Sequence, residues 1–202
     1  MRDRTNLKNI QEAFQKPLPG REAHLKMAPP WRRDALQPEQ HYRPSAVLLL
    51  LYQAGDALYF PLILRSSQLN HHASQIGLPG GALEPGESAE QAALRETEEE
   101  LGISTAKIQI LGSLSPLGLA VSGYTIYPVV GYHEGPLNVR PNPAEVARCI
   151  MVSLDELLHD KTIITHTLED GRNVPAYRLA GATVWGATAM ILAELTEILM
   201  QE

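Results

Sequence analysis

The sequence predicts one layered domain of helices packed on strands, preceded by an N-terminal arm. Three observations carry this. The apolar runs "SAVLLLLYQ" and "ALYFPLILR" flank "AGD" at 54–56, as expected of two strands joined by a turn and buried on both faces. A run from Ala89 to Leu101 lacks Gly and Pro and lies between Ser88 and Gly102, the start and stop signals of a capped helix. The segment "ATAMILAELTEILMQ" sets Leu192, Leu195, Ile198 and Leu199 in helical register, which predicts a last helix that closes the fold.

In chain order, Leu7, Ile10 and Phe14 give a helix over about 5–15 with one apolar stripe. The Pro-rich stretch "KPLPGREAHLKMAPPWRRDALQPEQHYRP" has no clear period and reads as an extended lead-in wrapped on the domain. Residues 1–44 are therefore assigned to the arm and 45–202 to the domain. Beyond the capped helix, "KIQILGSL", "YTIYPVVGYH" and "VARCIMVS" read as strands. "SLDELLHD" reads as a short helix with Ser153 as N-cap and Glu156 completing a capping box. "TIITHTL" and "VPAYRL" follow as strands.

Composition excludes several function classes. Hydrophobic residues make up 44% of the chain, which is the content of a folded protein rather than a disordered tail. The run "AVLLLLY" is too short to span a bilayer, and the polar start "MRDRTNLKNIQEAF" is no secretion signal. A net charge of −6 argues against a nucleic-acid sheath. Cys149 is the single cysteine, which suits a reducing cytoplasm. Charge is uneven: residues 1–44 carry nine Lys/Arg against five Asp/Glu, and the remainder eight against eighteen. The basic arm is expected to dock on the acidic domain, or to lend cations to a phosphate-bearing ligand.

The glutamates between Ser88 and Gly102 need a reason. On a helix with Glu96 at 0°, Glu99 falls near −60° and Glu100 near +40°, whereas Glu98 points almost opposite. Leu94, Thr97 and Leu101 gather on a separate strip that can pack on a sheet. Three carboxylates on one face repel one another, with only Arg95 near enough to offset them. A solvated face normally mixes signs. A hard divalent cation turns that repulsion into attraction, because it prefers carboxylate oxygens and also binds phosphates.

Spacing separates the two readings. Gly81, five residues, Glu87, seven residues, Arg95-Glu96, Thr97, Glu98, Glu99-Glu100, Leu101, Gly102 and Ile103 follow in order. This resembles the Nudix box, G-x5-E-x7-R-E-U-x-E-E-x-G-U with U bulky and apolar. At roughly 6% per fixed position, a match of all seven arises by chance on the order of 10⁻⁹ times per start site. Thr97 at the first U position is the one departure.

The resemblance implies an α+β Nudix fold, a mixed β-sheet sandwiched between α-helices, with the box forming loop-helix-loop. It implies a metal-dependent hydrolase of nucleoside diphosphate derivatives. Glu96, Glu99 and Glu100 would be the principal ligands of Mg²⁺ or Mn²⁺, and Glu87 would steady the loop or reach the metal. Arg95 would hold the carboxylates in position. Gly80 and Gly81 would let the backbone turn tightly beside the pyrophosphate. The base that activates water would be Glu100 or Glu145 of "PNPAEVARC".

A second resemblance narrows the substrate. Residues 62–81, "LILRSSQLNHHASQIGLPGG", are similar to the segment L-L-x-x-R-S-x-x-L-x-x-H-x-G-Q-I-x-F-P-G-G of the coenzyme A pyrophosphatase branch. Ser74 and Leu78 depart from it. Arg65, Ser66, His72, Gln75, Gly80 and Gly81 would contact substrate, and Arg65 could clamp a phosphate with two parallel hydrogen bonds. The expected reaction cuts coenzyme A or acyl-CoA into 3′,5′-ADP and (acyl-)4′-phosphopantetheine. The alternatives are hydrolysis of ADP-ribose or another nucleoside diphosphate derivative, and a nucleotide-binding Nudix module that does not cut. The expected partner is a small nucleotide, with no nucleic acid and no membrane, and a homodimer is left open.

Overall fold

In the computed structural model, which describes residues 6–35, 42–67 and 75–201, the two apolar runs form neighbouring strands. They are β1 (Arg43–Ala54) and β2 (Ala57–Arg65), joined through Gly55 and Asp56. Gly55 has a φ of +62°, which suits glycine at so tight a reversal. Strands β3 (Ile76–Gly77) and β4 (Gly80–Ala82) precede helix α3 (Ala89–Leu101). Then come β5 (Ile108–Ser113), β6 (Leu117–Leu119), β7 (Tyr124–His133) and β8 (Val146–Ser153). The chain ends in α4 (Leu154–Leu157), β9 (Ile163–Thr167), β10 (Asn173–Leu179), β11 (Ala182–Trp185) and α5 (Ala187–Met200).

The main sheet is mixed. Its central path runs β3-β2-β1-β7-β5, with β4 also paired to β1, β6 to β7 and β8 to β2. β1 and β7 are parallel over ten paired positions, from Arg43 opposite Tyr124 to Tyr52 opposite His133. The other pairs are antiparallel. A smaller sheet, β11-β10-β9, stands apart.

Strand alternation explains the layers. Successive side chains of β1 point to opposite faces. Ala46, Leu48 and Leu50 pack with Ala92, Ala93 and Leu101 of α3. Leu49 and Leu51 pack on the other face with Ile191, Leu192, Leu195 and Leu199 of α5. Leu48 through Leu51 are all fully buried, so β1 reads as continuous apolar sequence. Each buried leucine contributes about 2 kcal/mol of transfer free energy. The chain is thus the expected α+β sandwich, with α3 on one face of a mixed sheet and α5 on the other.

Two local expectations are corrected. The stretch read as an extended lead-in contains a helix, α2 (Arg21–Met27), after α1 (Leu7–Ala13). Prolines on both sides hide its short period; Ala23, His24 and Met27 form its buried face. The helix is pinned to α5, because His24 Nε2 donates to Glu194 Oε2 at 2.9 Å and the Gly20 N–H donates to Glu194 Oε1 at 3.0 Å. The capping box at Ser153 does not form. Glu156 Oε1 instead accepts the Ala180 N–H at 2.8 Å, so the carboxylate serves a tertiary contact. Among the described residues, no helix is long and apolar enough to cross a membrane.

Candidate active site

Helix α3 is fixed at both ends before it does any chemistry. The Ser88 side chain accepts the Gln91 N–H, and the Gln91 side chain accepts the Ser88 N–H, a reciprocal capping box. Gly102 adopts φ +63° and its N–H closes on the Glu98 carbonyl at 2.8 Å. Thr97, which departs from the box, is fully buried, and its hydroxyl donates to the Ala93 carbonyl at 2.7 Å. That bond satisfies the buried oxygen where an apolar residue was expected.

With the helix so oriented, Glu96 and Glu100 face the sheet and Glu98 faces solvent. The third member of the cluster comes from elsewhere in the chain. The N–H groups of Arg140 and Asn142 donate to the carbonyls of Leu101 and Glu100 at 2.7 and 2.9 Å, which docks the 140–146 loop on the C-terminal end of α3. The Ser66 N–H donates to the Glu145 carbonyl at 2.8 Å. Asn142 Nδ2 donates to Glu145 Oε1 at 3.3 Å. Carboxylate oxygens of Glu96, Glu100 and Glu145 consequently lie within 4.8 Å of one another.

Glu100 is the most enclosed of these. It is 1% exposed; Oε2 accepts the Gly80 N–H at 2.9 Å and Oε1 accepts Arg65 at 3.1 Å. Burial pushes its carboxyl up to about 7, against the pull of Gly80 and Arg65 and with the help of Glu96 and Glu145. Burial also raises Glu96, with Arg95 opposing. Such a set, rich in oxygen and short of cations, suits a hard divalent ion that would favour the ionised forms.

Arg95 organises the remaining carboxylates. Its Nε and Nη2 donate to the two oxygens of Glu87 at 2.9 and 3.0 Å. Nη1 donates to Glu96 at 2.8 Å and to Glu99 at 3.2 Å, and Nη2 also reaches the Ala82 carbonyl. The Arg95 pKa is raised, first by Glu87 and then by Glu96, against burial. The Glu87 carboxyl is lowered by Arg95 and by the Glu84 N–H. The structure thus places Glu87 and Glu99 on Arg95, beside the Glu96–Glu100–Glu145 cluster, and Glu99 is exposed.

Glycines bring the loop against the helix. Gly80 and Gly81 pair with Val47 and Ala46 of β1. A Cβ on Gly80, at φ +152°, would lie 2.2 Å from the Ala46 carbonyl oxygen. Close approach demands glycine there. The register of β2 against β8 shifts between Leu64 and Arg65, and such a bulge re-aims a side chain at a strand end. Arg65 thereby reaches Glu100 while lining a cleft of about 1020 Å³. Gln75, Gly80 and Gly81 line the same cleft, as do Tyr124 and Trp185. Ser66 is buried and is not among the residues that line the cleft. His72 lies outside the described residues.

Sequence reading missed Asn142, which both docks its loop on α3 and holds Glu145. The available signal was the Asn-Pro dipeptide, a turn former: Asn142 Oδ1 accepts the Ala144 N–H at 3.1 Å. The expectation that the basic residues 1–44 could lend cations to a phosphate-bearing ligand singled out no residue; Arg32 and Arg43 are the ones that line the cleft.

Comparison with known proteins bears on the family and the fold. A NUDIX domain model matches residues 41–170. The chain is 35% identical to an uncharacterized Nudix hydrolase, NudL, of Photorhabdus laumondii, covering 86% of this chain and 91% of that one. It is 36% identical to NudL of Escherichia coli strain K12, covering 77% and 82%. In fold it is similar to the crystal structure of a MutT protein from Methanosarcina mazei Go1, with a TM-score of 0.50 and 21% identity over 80% of this chain and 96% of that one.

Proposed function

The chain belongs to the NUDIX family of hydrolases, and from that premise we propose that it cuts the diphosphate of coenzyme A or its acyl thioesters. The products are 3′,5′-ADP and 4′-phosphopantetheine or its acyl form. The observation that carries the reading is the Glu96–Glu100–Glu145 cluster, at which Gly80, Gly81 and Arg65 open into a cleft large enough for a nucleotide. The segment 62–81, with its likeness to coenzyme A pyrophosphatases, supplies Arg65, Gln75, Gly80 and Gly81 to that cleft.

Glu96, Glu100 and Glu145 would hold Mg²⁺ or Mn²⁺, with Glu99 and Glu87 within the same Arg95-bonded group. The bound cation supplies neutralisation of the diphosphate and of the leaving phosphate. The protein's own residues do the remainder. Gly80 and Gly81 bring backbone close to the diphosphate, and Arg65 adds a cation beside it. Water attacks phosphorus in line, a P–O bond of the anhydride breaks, and a carboxylate takes the water's proton. Each oxygen of Glu100 accepts one hydrogen bond, from Gly80 or Arg65, and keeps a second acceptor site for the cation. Glu145 is held through Oε1 by Asn142, and its Oε2, which accepts no hydrogen bond among the described residues, is assigned the base role.

The test is parallel hydrolysis of coenzyme A, dephospho-coenzyme A and ADP-ribose, with Mg²⁺ and with Mn²⁺. Preference for coenzyme A supports the substrate. Preference for ADP-ribose overturns it, and turnover of none of the three points to a binding module.

A further inference from the structure

Two arginines that line the cleft have no part in the proposed reaction. Arg32 lies in a 3-10 segment (Pro30–Ala35) of the arm, and Arg43 begins β1. Both line the cleft shared by Arg65 and the two glycines. Arg65 is bound to Glu100; Arg32 and Arg43 make no side-chain hydrogen bond or ion pair among the described residues.

Position separates Arg43 from the diphosphate. Arg43, Ser45 and Val47 alternate onto one face of β1, and Val47 stands opposite Gly80. Four residues of strand set Arg43 about 13 Å from that point. One phosphate cannot sit at both ends.

Arg32 is also held in place. The Arg172 guanidinium lies over the Trp31 ring, 4.1 Å from its centroid. The Arg33 carbonyl accepts Arg21 at 3.1 Å, and Arg21 belongs to α2, which is pinned to α5. Both chain neighbours of Arg32 are therefore anchored, while its own half-buried side chain borders the cleft. Fixing an arginine this way in advance reduces the ordering cost of binding an anion.

We propose that Arg32 and Arg43 form a second anion subsite, which takes a phosphomonoester of the substrate distinct from the diphosphate that is cut. This rests on the reading of the cleft as a nucleotide site and explains how the arm selects among nucleotides.

The test compares ligands that differ by one phosphate and need no turnover: 3′,5′-ADP and 5′-AMP, titrated calorimetrically into wild type, Arg32→Gln and Arg43→Gln. Thermal melting checks that each variant is folded. Wild type is expected to bind 3′,5′-ADP about tenfold more tightly than 5′-AMP, the worth of one charge-assisted contact. Each variant is expected to shrink that ratio toward one. Equal binding of the two ligands by wild type overturns the subsite, as does a ratio that both variants retain. Failure of the enzyme to hydrolyse coenzyme A would instead overturn the proposed substrate, and the binding ratio still decides the subsite.

Discussion

Gly81 and Glu96 meet with no room for a side chain between them: a Cβ built on Gly81 falls 2.3 Å from Glu96 Oε1. The loop is thus packed against a carboxylate rather than merely turning near it. Gly81→Ala is expected to displace Glu96 and lower kcat about 100-fold, since misplacement by an ångström costs on that order. Melting curves and steady-state kinetics on the same sample check it; full activity in a folded Gly81→Ala protein would show that Glu96 moves at no cost.

Arg95→Lys is expected to behave nearly as badly as Arg95→Ala. The guanidinium bonds Glu87, Glu96, Glu99 and the Ala82 carbonyl at once. A lysine ammonium cannot reproduce that fork. The measurement is the Mg²⁺ concentration needed for half-maximal activity, which should rise in both variants.

Added Mn²⁺ or Mg²⁺ is expected to raise the melting temperature of the wild type. An ion at a hundred times its Kd stabilises by about 2.7 kcal/mol. Glu96→Gln and Glu145→Gln should lose most of that shift, read by calorimetry without any substrate. Retention of the full shift in both variants would place the ion elsewhere.

How much of this was legible differs between residues. Helix α3 and its caps followed from local rules, and spacing along the helix set Glu96, Glu99 and Glu100 on one side; Glu99 nevertheless lies exposed on Arg95, outside the Glu96–Glu100–Glu145 oxygen cluster. Burial of β1 on both faces followed from the uninterrupted leucines. Glu145 was legible as a candidate, but its place beside Glu96 depends on backbone bonds from Asn142 to Glu100 and from Ser66 to Glu145, contacts that no local pattern encodes. The α2 helix was hidden because its seven residues lie between prolines, and the partner that fixes its buried histidine is on the last helix.

That pair gives a pH prediction. Burial alone would raise the Glu194 carboxyl, but hydrogen bonds from His24 and Ser115 outweigh it and hold the group below its ordinary 4.5. A carboxyl lowered in the folded state stabilises fully above its unfolded pKa and ceases to do so as pH falls through the folded one. The melting temperature is therefore expected to drop as pH falls below about 4.5, and less steeply in Glu194→Gln. At neutral pH, Glu194→Ala should cost about 3 kcal/mol, because it strips a buried histidine and two N–H groups of their partner.

Cys149 is expected to resist thiol reagents. Burial pushes its thiol up to about 11, so at pH 8 almost none is thiolate, the reactive form. Labelling by iodoacetamide should be slow in the folded protein and fast after denaturation; rapid labelling of the native state would contradict the burial.

The bond from His24 to Glu194 spans 170 positions of chain. On the ribosome, α2 is made early, whereas the carboxylate that pins it, on α5, is made among the last residues of this sequence. The hydrogen bonds that fix the segment carrying Arg32 therefore cannot close until α5 is present. A chain stopped before α5 would carry the whole glutamate cluster and still lack a fixed wall on that side of the cleft.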